Sequence, residues 1–199
     1  MNTFQLKNHL IEYVEEEHIY VVDGIIIPSV TQILDIKFKN KYSYVNREVL
    51  QKASDRGTLI HKEIQDYCEN GKESSLEEVY NFKFLQNIYK FKILKNEVPI
   101  IIEKNGNPVA VGRLDLIIEK DNKKIVADIK TTSTLDRQYL MYQLNLYKIG
   151  YEQTYGENIQ GLKGIHLKES KRNLVDIPID ENCAWNIIDE YYKEDLLNE

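Results

Sequence analysis

Cysteine is scarce in this chain. Cys68 and Cys183 are the two it carries, and neither sits in a C-x-x-C pair. Two thiols exclude a four-thiolate zinc site and a four-cysteine iron–sulfur cluster, and leave reduced, half-buried cysteines as the expectation. Long apolar runs are also missing. The strongest, Val21–Val22 and Ile25–Ile27 around Asp23-Gly24, fall far short of the roughly 20 residues that cross a bilayer. Residues 1–30 lack the basic, apolar and small-residue order of a secretory signal, so a cytoplasmic protein with no membrane partner is expected. No Gly-rich loop ends in Lys-Ser or Lys-Thr, which excludes a P-loop motor. Nor does any repeat, low-complexity tract or Pro/Gly/Ser-rich linker divide the 199 residues. One domain with a sizeable core is the expectation.

What is present is the balance of a folded protein, with 42% hydrophobic and 29% charged residues, which argues against disorder. The net charge of −6 argues mildly against a nucleic-acid binder, but the charge is uneven. Lys37, Lys39, Lys41, Arg47, Lys52 and Arg56 fall in one stretch, interleaved with Phe38, Tyr42 and Tyr44. Acids gather at Glu15–Glu17, at Glu73–Glu78 and from Asp180 to Glu199. A local basic and aromatic patch can hold a phosphate backbone on a net-acidic protein. A solvated helix face has the same composition and is the more common occurrence.

Ile19–Val22 and Ile25–Ile27 flank Asp23-Gly24, a two-residue hairpin signal, and Pro28-Ser29 then opens a helix with Ser29 as N-cap. A largely helical region is predicted from about Asn46 to Lys95, broken near Gly57 and again at Asn70-Gly71. Its second half, Leu76 to Leu94, carries Val79, Phe82, Leu85, Ile88 and Tyr89 at helical spacing. Val98–Glu103, Val109–Glu119 and Lys124–Thr132 read as strands, with turns at Asn105-Gly106-Asn107 and Asp121-Asn122. Ser133 or Thr134 is placed to cap a helix from about Leu135 to Glu152. Strands near Gly161–Leu167 and Leu174–Ile179 and a terminal helix after Asp180 complete an α/β or α+β pattern.

The segments Gly112–Glu119 and Ile125–Thr132 carry the chemistry. If Asp121-Asn122 is a two-residue loop closed by Lys120 and Lys123, the register runs back to Asp115 opposite Asp128. The two aspartates then share one face, with Cβ atoms about 4.5–5.5 Å apart. Alternation puts Lys130 on the face of Asp128 and Arg113 on that of Asp115, and gives Leu114, Leu116, Ile118, Ala127 and Ile129 to the other. Facing carboxylates in a poorly solvated place repel, unless a divalent cation lies between them. Oxygen ligands suit Mg²⁺ or Mn²⁺, and a lysine beside them can orient an attacking water, which together suit phosphodiester hydrolysis. As bare spacing, a solvated charged hairpin is the more common occurrence.

Gly112-Arg113-Leu114-Asp115, with Asp128-Ile129-Lys130-Thr131-Thr132 across the turn, resembles the metal-binding core of RecB-like nucleases in the PD-(D/E)XK superfamily. Gly57-Thr58-Leu59-Ile60-His61 is similar to that family's helical Gly-Thr-x-x-His element, and Gln143-Leu144-Asn145-Leu146-Tyr147 to its helical Gln-x-x-x-Tyr element. The four elements occur in the family's order and span about Gly57 to Tyr147. The chain departs from the pattern in two places. Leu114 precedes Asp115 where the literal motif has proline, and Gln65 stands where an acid often follows the histidine, with Glu63 and Asp66 nearby.

The resemblance implies an α/β, restriction-endonuclease-like core, a central mixed sheet flanked by helices. Residues 1–56 would be an N-terminal β-hairpin and helical extension, 57–179 the core, and 180–199 a C-terminal helix of one domain. It implies His61, Asp115, Asp128 and the Ile129 carbonyl as ligands to one or two Mg²⁺ or Mn²⁺ ions, with Lys130 as the catalytic lysine and no iron–sulfur cluster. Gln143 and Tyr147 would contact DNA beside the site, with Lys39, Lys41 and Arg56 guiding the strand. Glu103, on the preceding strand, is a candidate for a second metal or an outer contact. The implied activity is a DNA exonuclease of recombination or repair, as in phage-encoded relatives, with a single-strand annealing or recombination protein as a partner. An endonuclease and a catalytically inactive DNA-binding module are the alternatives.

Overall fold

The computed structural model describes residues 2–14, 19–39, 45–169 and 171–198. Its first unit is an antiparallel sheet of β1 (Asn2–Leu6), β2 (His9–Val14), β3 (Ile19–Val22) and β4 (Ile25–Ile27), in that order. The β3–β4 hairpin falls where Asp23-Gly24 predicts it, and both turn residues have positive φ, +50° and +85°. β1 and β2 are additions to the expected single hairpin. Helix α1 (Val30–Phe38) begins at Ser29, whose hydroxyl accepts from the Gln32 N–H while the Gln32 side chain accepts from the Ser29 N–H. This reciprocal cap satisfies two otherwise orphaned donors.

Helix α2 (Arg47–Asn70) starts at Asn46 and stops at Gly71, where φ is +66°. It runs through Gly57 unbroken, contrary to the expected interruption. A Cβ at Gly57 would lie 3.2 Å from Thr131 Oγ1, so this glycine permits close approach to the end of a strand. Its helical cost of roughly 1 kcal/mol is absorbed by packing. Helix α3 (Glu77–Tyr89) ends earlier than its spacing suggested, because Lys90 turns left-handed at φ +54°. Lys92–Leu94 then belong to a strand.

The main sheet contains β5 (Lys92–Lys104), β6 (Asn107–Lys120), β7 (Lys123–Lys130), β8 (Gly161–Lys168) and β9 (Lys171–Ile177), in sequential order. Only β7 and β8 are parallel, and helix α4 (Arg137–Tyr155) is their crossover. Asp136 caps α4, accepting from the Gln138 and Tyr139 N–H groups at 3.0 Å, in place of the expected Ser133 or Thr134. Helix α5 (Glu181–Asn198) follows β9. The chain is therefore α/β, with a mixed five-stranded sheet flanked by helices, as the sequence predicts. Among the described residues no helix is long and apolar enough to cross a membrane.

Helices α1, α4 and α5 close one core over Ile100, Leu114, Ile117 and Val126. Helices α2 and α3 close a second over Leu116, Ile118, Ala127 and Ile129. A third, smaller core joins the N-terminal sheet to Ile101 and Val111. Leu114 and Leu116 have the same strand parity yet enter different cores, a departure from the single apolar face expected. The strand changes faces between them, at Asp115.

Candidate active site

The β6–β7 turn sets the site. Asp121 and Asn122 both have left-handed φ, +53° and +59°, the signature of a two-residue hairpin whose twist matches its strands. Lys120 pairs with Lys123, and the ladder runs back to Leu116 opposite Ala127. Asp115 and Asp128 are the next positions in that register. Here the side chain replaces the ladder, because the Ile129 N–H donates to Asp115 Oδ2 at 2.6 Å. Ile129 itself is buried in the second core.

On the other side of β6, Asn96 pairs with Leu116 and Val98 with Leu114. Glu97 is thereby placed across from Asp115, with a left-handed φ of +46°. His61 reaches the same point from α2, its Nδ1 3.6 Å from Asp115 Oδ1. His61, Glu97 and Asp115 each offer a ligand atom, all within 4.8 Å of one another. Glu97 is the acid that sequence reasoning missed. Counting back from the Asn105-Gly106 turn puts Asn96 opposite Asp115; the irregularity between Ile102 and Glu103 shifts the register by one and brings Glu97 there instead.

Asp128 is 2% exposed, on the strand between β6 and β8. Its Oδ2 forms a 2.6 Å ion pair with Lys130 Nζ. Lys130 donates to Gln143 Oε1 at 2.8 Å, and Gln143 donates to the Tyr147 hydroxyl at 3.3 Å. The ammonium also lies 5.6 Å from the Tyr139 ring centre. Gln143 and Tyr147, which the resemblance placed at the DNA, are buried here behind Lys130. Gly112 makes room for them, since a Cβ there would stand 3.1 Å from Tyr147 Cε1 and 3.0 Å from Val30 Cγ2.

The charges of this cluster are held by one another. Burial opposes the His61 imidazolium, but Asp115 and then Asp128 outweigh it and lift the pKa to about 9. Burial likewise opposes the Asp115 carboxylate, yet His61, Lys130 and the Ile129 N–H hold it below the usual range. For Asp128 burial wins, with the Asp115 charge adding to it against Lys130, and its pKa rises to about 6. Burial also works against the Lys130 ammonium, but Asp128 and Asp115 keep its pKa raised. A proton on His61 thus occupies the role that a cation would fill. The donor set fits a divalent metal: the His61 imidazole and the Glu97 and Asp115 carboxylates lie within 4.8 Å of one another, with the buried Asp128 carboxylate, paired to Lys130, beside them.

The other predicted residues lie elsewhere. Glu103 pairs with Lys7 and with His9 Nε2 at 2.9 Å. It is six positions along β5 from Glu97, about 20 Å at strand rise. Arg56 forms a 2.9 Å ion pair with the buried Glu78 carboxylate through one guanidinium nitrogen, and its side chain remains half exposed. Lys41 lies outside the described residues. Lys39 is the C-cap of α1 and lines a recess that also contains Lys130. That recess, about 330 Å³, is one of two flanking the cluster. The other, about 490 Å³, is lined by Gly57, Thr58, His61, Lys62, Gln65, Glu97 and Asp115. A larger groove of about 670 Å³ beside β4 and α5 contains none of these groups, and the converging charges mark the smaller recesses as the site.

No family model matches this chain, and no curated protein matches it. Among solved structures, one described as the crystal structure of SSO0001 aligns at TM-score 0.49 and 17% identity, over 85% of this chain and 75% of that one.

Proposed function

We propose that the protein is a metal-dependent nuclease that hydrolyses DNA phosphodiester bonds, of the RecB-like PD-(D/E)XK kind, and that it acts as an exonuclease in recombination or repair. The observation that carries this reading is the convergence of His61, Glu97 and Asp115, whose ligand atoms all lie within 4.8 Å of one another. Beside that group lies the buried Asp128 carboxylate, paired with Lys130 at 2.6 Å. Carboxylates gathered this closely in a poorly solvated place repel unless a cation lies among them.

Asp115, Asp128, His61 and Glu97 would hold Mg²⁺ or Mn²⁺. The bound ion supplies Lewis acidity toward a phosphoryl oxygen and lowers the pKa of a water. His61 must release its proton before its nitrogen can serve as a ligand. Asp115 is fixed by the Ile129 N–H, which leaves its Oδ1 toward His61. Lys130 is held between Asp128 and Gln143, so its charge can orient a water and offset charge building on the phosphate. Gln143, backed by Tyr147, holds Lys130 in that position.

The test is degradation of matched linear and covalently closed circular DNA in Mg²⁺, by wild type and by Lys130→Ala. Loss of the linear form alone, abolished by the substitution and by EDTA, is the expected result. Removal of a group acting in the transition state lowers kcat by on the order of 10²–10³. Cutting of the circle would move the assignment to an endonuclease. A folded wild-type protein that binds Mg²⁺ and cuts neither form would overturn the enzymatic reading in favour of a DNA-binding module.

A further inference from the structure

The four residues that follow Lys130, Thr131-Thr132-Ser133-Thr134, all carry hydroxyls. Three carbonyls of this loop are engaged. His166 is buried on β8, paired with Lys130 in the parallel register, and its Nε2 lies 2.7 Å from the Thr132 carbonyl. A carbonyl only accepts, so that nitrogen carries the proton. Lys171 Nζ donates to the Ser133 carbonyl at 2.8 Å, and the Thr132 hydroxyl to the Thr134 carbonyl at 2.8 Å. From the other direction, Gly57 lets α2 come close to the Thr131 hydroxyl. The loop is thus pinned, with its acceptors used and its donors left over. Thr132, Ser133 and Thr134 are exposed, and their N–H groups meet no acceptor among the described residues. Successive N–H groups left open in this way suit an anion.

Two cations stand at the same loop. Lys171 is held there through the Ser133 carbonyl, and Arg137 is the first residue of α4, three positions after Thr134. Neither forms an ion pair among the described residues. Arg137 is also placed against the helix dipole, which disfavours a cation at the N-terminus, and the first turn of α4 contains no acid to offset it. The adjacent Asp136 carboxylate accepts from the Gln138 and Tyr139 N–H groups. An anion on the loop would serve as counter-ion to both cations. Lys130, which precedes the loop, is paired with Asp128 of the carboxylate cluster, so that anion is next to the group on which the cluster acts. We propose that the Thr131–Thr134 loop, with Lys171 and Arg137 at its rim, binds the backbone phosphate next to the scissile one. The strand then passes between the start of α4 and the β8–β9 hairpin. This rests on the nuclease reading for the identity of the phosphate.

The experiment reads binding and cutting separately. Binding of a short labelled DNA duplex is measured by fluorescence anisotropy across a salt series in calcium buffer. The proteins are wild type, Lys171→Gln, Arg137→Gln and Lys92→Gln, with folding checked by thermal melts. Lys92 lies opposite Glu119, near the β6–β7 turn and at the far end of the hairpin from Lys130, so its removal controls for net charge. The slope of log affinity against log salt should become shallower by about 0.9 in each loop variant, the value of one phosphate contact on duplex DNA. It should stay at the wild-type value in Lys92→Gln. Mn²⁺ affinity, read by calorimetry, should not move, and a fall there would place the effect in the metal site and overturn the phosphate subsite. An unchanged slope in either folded loop variant, or an equal change in Lys92→Gln, overturns it even if the DNA is cut. Shallower slopes in both loop variants, with no cleavage by wild type in Mg²⁺, support the subsite and overturn the nuclease reading instead.

Discussion

Glu97 carries a backbone conformation that glutamate adopts rarely, with φ at +46°. Such a residue costs on the order of 1–3 kcal/mol where the surrounding structure enforces it. What it gains is a carboxylate across from Asp115, with burial and the Asp115 charge raising its own pKa. The strained residue stands beside His61 and Asp115. Replacement Glu97→Gln should therefore weaken Mn²⁺ binding by on the order of tenfold, by analogy with loss of supporting metal contacts. Glu103→Gln should leave it unchanged. Calorimetric titration of the two variants distinguishes them, and equal affinities would return Glu97 to a structural role. The two aspartates and Lys130 were legible in the sequence because one local turn fixes their register. Glu97 was not, since it depends on a bulge, and nothing about Ile102-Glu103 announces one.

At the level of elements, the placement of α4 governs the site. Gly150 of this helix meets Ile100, where a Cβ would stand 2.4 Å from the Ile100 Cδ1 atom. Gly164 on β8 meets Leu140 in the same way, at 2.5 Å from Cδ2, and Gly112 meets Tyr147. Glycines on both sides of the interface let the helix lie close enough for Gln143 to reach Lys130. Gly112→Ala should destabilise the protein by about 1–3 kcal/mol, the usual range for overpacking. It should lower activity beyond the unfolded fraction by displacing Tyr147 and the Gln143–Lys130 bond. Denaturant melts with activity measured well below the transition test this; activity at the wild-type level would show that Tyr147 has no positioning role. The strands of the main sheet were readable from apolar runs between turn signals. The end of α3 was not, because Phe91 and Ile93 continue its helical spacing while Lys90 supplies a left-handed stop usually given by glycine. The continuity of α2 through Gly57 was equally hidden, because the close approach of Thr131 that accounts for a glycine there joins positions far apart in the chain.

Across the whole molecule, His9 ties the N-terminal sheet to the main one. Its Nδ1 lies 2.5 Å from Asp23 Oδ2 and its Nε2 2.9 Å from Glu103 Oε1. The hydrogen bond to Asp23 raises its pKa most, burial opposes, and Glu103 adds to the rise. A raised histidine pKa contributes stability that is complete below the unfolded value of 6.5 and is lost as pH climbs through the folded value. The melting temperature should therefore fall from about pH 6.5 upward more steeply in wild type than in His9→Gln. His61 gives the metal-free protein a slope of the same sign, and it cancels in that comparison. Parallel pH profiles would show that His9 carries no such linkage. This tie between sheets lay beyond sequence reasoning, as it joins positions far apart in the chain through side chains of ordinary surface type. The change of face at Asp115 has a consequence on the same scale. Leu114 belongs to the core under α4 and Leu116 to the core under α2 and α3, so the aspartate between them sits on the seam of two separately packed halves. Loosening of either half pulls Asp115 away from the groups contributed by the other, and on the proposed function a partly opened chain is inert toward DNA, with hydrolysis confined to molecules in which both halves are closed.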